Sequence, residues 1–253
     1  MDSKALLIVD DQALSLRQCL GYLQSAGKLQ TFVGDILRQY VLERELATRE
    51  DLEINLAMVE QSVVDFRLQN QLTDQKVFQD WLTRNGITYE IFHSQIVGRF
   101  KLEKLKVQVT DSRLQEHFIE RKVFLDRVVL SRIVVSSKEL AEELHTQIME
   151  GASFEDLARE YSTADERIAN GMMGAVSRGT LPDALRAAID AASPGELVGP
   201  LETDKYWSIF RVNEFLPATL EDAQLRQAMQ NELFDRWLTE KIQTMQVKLQ
   251  VSD

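Results

Sequence analysis

One strand constrains this chain more than any other segment. In RVVLSRIVV (Arg127–Val135), Leu130, Arg132 and Val134 fall on one face and Val129, Ser131, Ile133 and Val135 on the other, because successive side chains of a strand point to opposite sides. A charged group in the middle of so apolar a strand is costly if buried unpaired. Arg132 must therefore reach water, a carboxylate or a bound carbonyl.

The segments that follow have a definite order. Ser136, with Glu139 three positions on, reads as a capping box for a helix that ends at Gly151. Ser153 caps a second short helix, FEDLAREYS (Phe154–Ser162), and a glycine-punctuated loop, NGMMGAVSRG (Asn170–Gly179), comes next. Then come the helix LPDALRAAI (Leu181–Ile189), the turn SPGELVGP (Ser193–Pro200) and a last strand, WSIFRV (Trp207–Val212).

Upstream the pattern is helical. Residues 1–30 are ambiguous, but from Asp35 to Phe124 apolar residues recur at helical spacing. Thr48 is an expected N-cap for the stripe Leu52, Leu56, Val59, Val63 and Phe66, and Thr73 for the face of Val77, Phe78, Trp81 and Leu82. Asn85-Gly86 ends that helix as a left-handed C-cap. Thr88 starts another through roughly Val107, and Asp111 caps SRLQEHFIERK. Beyond Pro217 a long helix carries Leu225, Met229, Leu233, Phe234, Trp237 and Ile242 on its apolar side. The expected class is α+β, divided into a helical part (1–124), a sheet-containing part (125–217) and a closing helix (218–253) that packs back on the first.

Composition narrows the functional classes. With 253 residues, 44% hydrophobic and 27% charged, the chain is long enough for two structural units. A formal net charge of −11 argues against a nucleic-acid surface. No apolar run approaches the roughly 20 residues needed to span a bilayer, so no membrane insertion is expected. ALLIV (Ala5–Val9) has no basic flank and does not read as a signal peptide. Cys19 is alone, which leaves no internal disulfide and no cysteine zinc site. A cytoplasmic location is the expectation, with no cofactor and no metal. LLIVDDQ (Leu6–Gln12) is like the start of a response-regulator receiver, but the run of helices after it lacks the repeated βα pattern such a fold needs.

From Val109 to Leu220 the motif order and most spacings resemble the parvulin-type prolyl isomerases. The flanking helices resemble the layout of SurA and PrsA, in which N- and C-terminal helices form one module. The NELFDRWL stretch is similar to a bacterial subgroup without signal sequences. The resemblance implies an isomerase acting on polypeptides, with an apolar pocket for proline beside a hydrogen-bonded group of two histidines and a Cys or Asp.

At the positions implied for that polar group, this chain has other residues. Arg132 replaces the first histidine, within Ser131-Arg132-Ile133-Val134. Ser208 stands at the second. Met172 or Met173 stands at the acid or thiol. His93, His117 and His145 lie elsewhere, on helical segments. The pocket is better kept: Leu181-Pro182 matches the start of the pocket helix, Leu185 its next apolar position, and Met172 and Met173 could line the same cavity.

Two readings of Arg132 stay open, a grip on a substrate carbonyl or acid and a structural ion pair. Two functions are likewise expected: a weak isomerase on proline-containing polypeptide, and a non-catalytic chaperone or secretion helper for unfolded chains. A peptide-export system is a further expected partner.

Overall fold

The computed structural model describes residues 5–203 and 205–248. It divides into two compact units, Met1–Leu114 with Ala228–Asp253, and Gln115–Gln227.

The chain opens with an antiparallel hairpin, β1 (Ala5–Val9) and β2 (Gln12–Ser15), turned by Asp10 and Asp11 at φ of 47° and 65°. Aspartate tolerates the left-handed conformation that a tight hairpin turn demands, so LLIVDDQ is a hairpin and not a receiver's first strand. Helices α1 (Leu16–Ser25), α2 (Leu29–Thr48), α3 (Leu56–Gln69), α4 (Gln75–Arg84) and α5 (Tyr89–Leu125) follow.

Several caps differ from expectation. Thr48 ends α2, and its hydroxyl donates back to the Arg44 carbonyl. Asn55 caps α3 instead, and Asp74 rather than Thr73 caps α4, accepting from the amides of Lys76 (2.8 Å) and Val77 (3.1 Å). A carboxylate also suits the positive end of the helix dipole. Asp111 starts nothing. Thr110 donates to the Lys106 carbonyl (2.7 Å), and buried Leu105, Leu114 and Phe118 carry one apolar side through the expected break, so α5 runs unbroken for 37 residues.

In the first unit, Val59, Val63, Phe78, Leu82, Phe92 and Ile96 form one core from α3, α4 and α5. A second core joins Val41 of α2 and Leu105 of α5 to Phe234 and Leu238, which lie on the chain's last helix, Ala223–Gln243.

The second unit begins in α5 and continues with β3 (Arg127–Val135), α6 (Lys138–Met149), α7 (Phe154–Tyr161), β4 (Met172–Ser177), α8 (Asp183–Asp190), β5 (Leu197–Thr203) and β6 (Tyr206–Leu216). The last helix is α9. The strands form an antiparallel sheet in the order β4-β3-β6-β5, which is the expected α+β arrangement. Ser137, one residue past the expected cap, accepts from the Leu140 amide to start α6.

The stretch read as a loop, NGMMGAVSRG, is largely strand β4. Gly171 and Gly174, at φ of 83° and 79°, take up the entry turn and an irregularity in register, and the residues around them pair with β3. The second half of SPGELVGP is likewise strand, β5.

Both faces of the sheet are covered. Ile133, Val135 and Ile209 pack against Leu144 of α6 and against Phe154, Leu157 and Ala158 of α7. Val128, Leu130, Phe210 and Val212 pack against Leu185 and Ile189 of α8.

Candidate functional site

The face under α8 collects most of the residues singled out in the sequence. Arg132 lies opposite Phe210, and its strand neighbour Val134 lies opposite Ser208. Cross-strand partners share a face, so Arg132, Phe210 and Ser208 sit on one side of the sheet. Met173 and Leu181 pack, partly buried, against the cluster that contains Leu185 and Phe210. Leu185 itself is buried, with 9% exposure. Met173 and Leu181 keep part of their apolar surface accessible beside it.

Met172 parts company with this group. The register with β3 slips between Leu130 and Ser131, so that Leu130 pairs with Gly174 and Ser131 with Met172, leaving Met173 as the extra residue. Met172 is 55% exposed. The two adjacent methionines therefore have different surroundings, a distinction that spacing alone could not make.

Arg132 is paired. Its Nη2 donates to both carboxylate oxygens of Glu166 (2.8 and 2.9 Å), and its Nε donates to Oε2 (3.2 Å). Partial burial pushes the Glu166 carboxyl up, but its own backbone amide and the Arg132 guanidinium outweigh that and hold it below the usual carboxylate range. The backbone completes the tie. Gly171 donates to the Glu166 carbonyl (2.8 Å), and the Arg132 amide donates to the Gly171 carbonyl (2.7 Å). A Cβ at Gly171 would lie 2.8 Å from the Arg132 carbonyl oxygen and 2.9 Å from the Ala158 Cβ. Only glycine fits there.

Ser208 is 3% exposed, and its hydroxyl accepts from that of Thr203 (3.1 Å). Next to the site, Ser131 belongs to the opposite face and accepts from Asn213 Nδ2 (2.9 Å). The three histidines lie on α5 and α6. Among the described residues, no group of three or more His, Cys, Asp or Glu side chains could hold a metal ion, and no helix is long and apolar enough to cross a membrane.

Sequence reasoning missed Glu166. The available signal was general: an arginine within an apolar strand requires a counter-charge. Nothing local singled out a carboxylate 34 residues away.

Residues 132–214 match the family model of the PPIC-type PPIASE rotamase domain. Foldase protein PrsA 2 of Listeria innocua is 25% identical over 171 residues, covering 66% of this chain and 58% of that protein. Foldase protein PrsA of Halalkalibacterium halodurans is 27% identical over 192 residues, covering 72% and 58%. Chaperone SurA of Sodalis glossinidius is 24% identical over 208 residues, covering 70% and 48%. The chain thus spans about half the length of the curated relatives it matches. Residues 132–214 thus carry the match to the PPIC-type PPIASE rotamase domain on an antiparallel four-stranded sheet, and helices from both chain ends share one core, a SurA/PrsA-like layout.

Proposed function

We propose that this domain is a weak prolyl cis–trans isomerase acting on polypeptide. Rotation about the prolyl bond faces a barrier of about 18–20 kcal/mol, and each removal of about 1.4 kcal/mol is tenfold in rate. No covalent step is needed. The site has to seat the pyrrolidine ring, exclude water from the amide and leave its carbonyl free to turn. One observation carries the reading: Met173 and Leu181 present apolar surface above Leu185 and Phe210, on the face that also bears Arg132. Glu166 engages Nε and Nη2 of Arg132, and among the described residues Nη1 makes no hydrogen bond. That nitrogen is the donor we assign to the turning carbonyl. Weakness follows from the replacement of an imidazole, acid or thiol network by an ion pair, a thioether and a serine held by Thr203.

The second reading, a non-catalytic polypeptide-binding chaperone on the same fold, is favoured by that same replacement. Prolyl tetrapeptides assayed at high enzyme concentration separate the two. A rate above buffer that falls in Arg132→Ala supports catalysis, and a rate equal to buffer leaves binding alone.

A cytoplasmic location and a peptide-export system as partner complete the proposal. A single cysteine, with no internal disulfide, suits a reducing compartment. Cell fractionation and co-purification with an exporter test both.

A further inference from the structure

Residues 5–40 are rich in apolar side chains, yet Leu20 is the one buried residue among them. The apolar cores described above begin only at Val41. Strand β1 is the extreme case. Its side chains alternate between the two faces of the hairpin, and both faces are exposed, with Leu7 and Val9 on one and Leu6 and Ile8 on the other. Ile8 is 74% exposed. A strand apolar on both faces has the composition of a central strand, covered above and below. A two-stranded hairpin on its own is marginally stable in water. Helix α1 packs against both strands and against α2, and Tyr22 of α1 and Ile36 and Tyr40 of α2 are exposed as well. Together the half-exposed large apolar side chains of this segment leave on the order of 900 Å² uncovered, against the roughly 800 Å² per partner of a standard interface.

Two features identify what covers this surface. The first is the edge of β1. Among the described residues β1 pairs with β2 alone, so its outer edge presents backbone N–H and C=O groups that no strand meets. Soluble proteins guard such edges with charge, proline or a bulge. ALLIV has neither charge nor proline, and its one irregularity in register lies between Ala5 and Leu7, which leaves Leu7–Val9 regular. An antiparallel pair of identical strands is two-fold symmetric, so the same strand of another copy satisfies this edge. The second feature is charge. Residues 5–40 carry three acidic and three basic side chains, although the chain as a whole has a net charge of −11. One of the three, Arg38, is paired with Asp235 of α9. The acidic excess thus lies outside this segment, and two copies that meet here avoid the repulsion they would meet elsewhere.

We propose that residues 5–40 are a dimerisation arm. Strand β1 of one copy pairs antiparallel with β1 of a second copy about a two-fold axis, which builds a four-stranded sheet in the order β2-β1-β1-β2 and buries the apolar side chains of β1. The arm lies outside the parvulin-like sheet and does not depend on the isomerase reading.

Sedimentation velocity on the full chain tests this. At tens of micromolar the protein sediments with twice the chain mass and dissociates on dilution. Ile8→Lys raises the dimer dissociation constant at least about tenfold, because each copy then buries an ammonium among apolar side chains. Ile8 belongs to none of the described cores, so the circular dichroism melt of this variant stays cooperative. Val64→Lys, at another exposed apolar position on α3, leaves the dimer intact. Strand pairing is read separately from Leu6→Cys, Leu7→Cys and Ile8→Cys, each made with Cys19→Ser, and at least one of them forms a covalent dimer on oxidation. These cysteine variants remain informative if Ile8→Lys misfolds. A monomer at every concentration overturns the proposal, as does an Ile8→Lys protein as dimeric as wild type. So does a Val64→Lys protein that dissociates equally, or the absence of a covalent dimer from all three cysteine positions. The prolyl tetrapeptide rate of Ile8→Lys stays at the wild-type value, so failure here is separable from failure of the isomerase reading.

Discussion

Arg132 shows how one residue can fix a local structure and still leave function open. Its side chain is 32% exposed and that of Glu166 25%, so the pair is partly screened by water. Arg132→Ala should cost about 1 kcal/mol, and adding Glu166→Gln should cost no more, because no charge is then left without a partner. Urea unfolding of the two single variants and the double variant checks this coupling. Nearby carboxylates make the unit acid-sensitive. Asp126, despite the opposing effect of burial, is held down by Lys122, by the Ala218 amide and by Arg178. Glu155 is held down chiefly by Arg211, and Glu166 by its own amide and Arg132 against burial. A depressed carboxyl stabilises the fold fully above its unfolded value, and that stability is lost as pH falls through the folded value. Stability of the second unit should therefore hold from neutrality down to about pH 4 and drop below it. In Glu155→Gln the drop should be shallower; unchanged steepness would show that Arg211 gains nothing from this carboxylate.

At the level of elements, local signals were read well where one residue type alone meets a backbone demand. Gly86 at φ 67° ends α4, Gly151 at φ 105° follows α6, and Ser153 caps α7, each as its sequence context indicated. Caps went astray where two polar residues competed, Thr73 with Asp74 and Ser136 with Ser137, since periodicity does not resolve a one-residue shift. Asp111 failed for another reason. Helix α5 has buried apolar residues on both sides of it, and that burial outweighs any tendency to start anew. Strand β4 was invisible as a strand because MMGAVS lacks alternation and its pairing with β3 depends on residues far away in sequence. Gly171 is the element's critical point. Gly171→Ala should lower stability by about 2–4 kcal/mol, since the added methyl meets the Arg132 carbonyl, Ala158 and Phe154 at a backbone angle unsuited to alanine. A melting temperature within a degree of wild type would contradict this.

Considered whole, the molecule has one core that is not continuous in sequence. Phe234 and Leu238 of α9 fill the same core as Val41, Leu52 and Leu105. Phe234→Ala should cost about 3–5 kcal/mol, and deletion from Thr219 onward should bare that core and cause aggregation. The fragment Gln115–Gln227, with its own sheet and both faces covered, should by contrast fold cooperatively alone, and circular dichroism melts of both shortened chains decide the matter. By itself, the sequence determined the class of fold and the motif order from Arg127 to Val212. These follow from residue type and spacing, which act over a few positions. Only the tertiary structure decided that Glu166 neutralises Arg132 and that Met173 rather than Met172 joins the apolar face. Each depends on contacts between segments distant along the chain, whose positions are set by packing of the whole core and leave no local pattern to read.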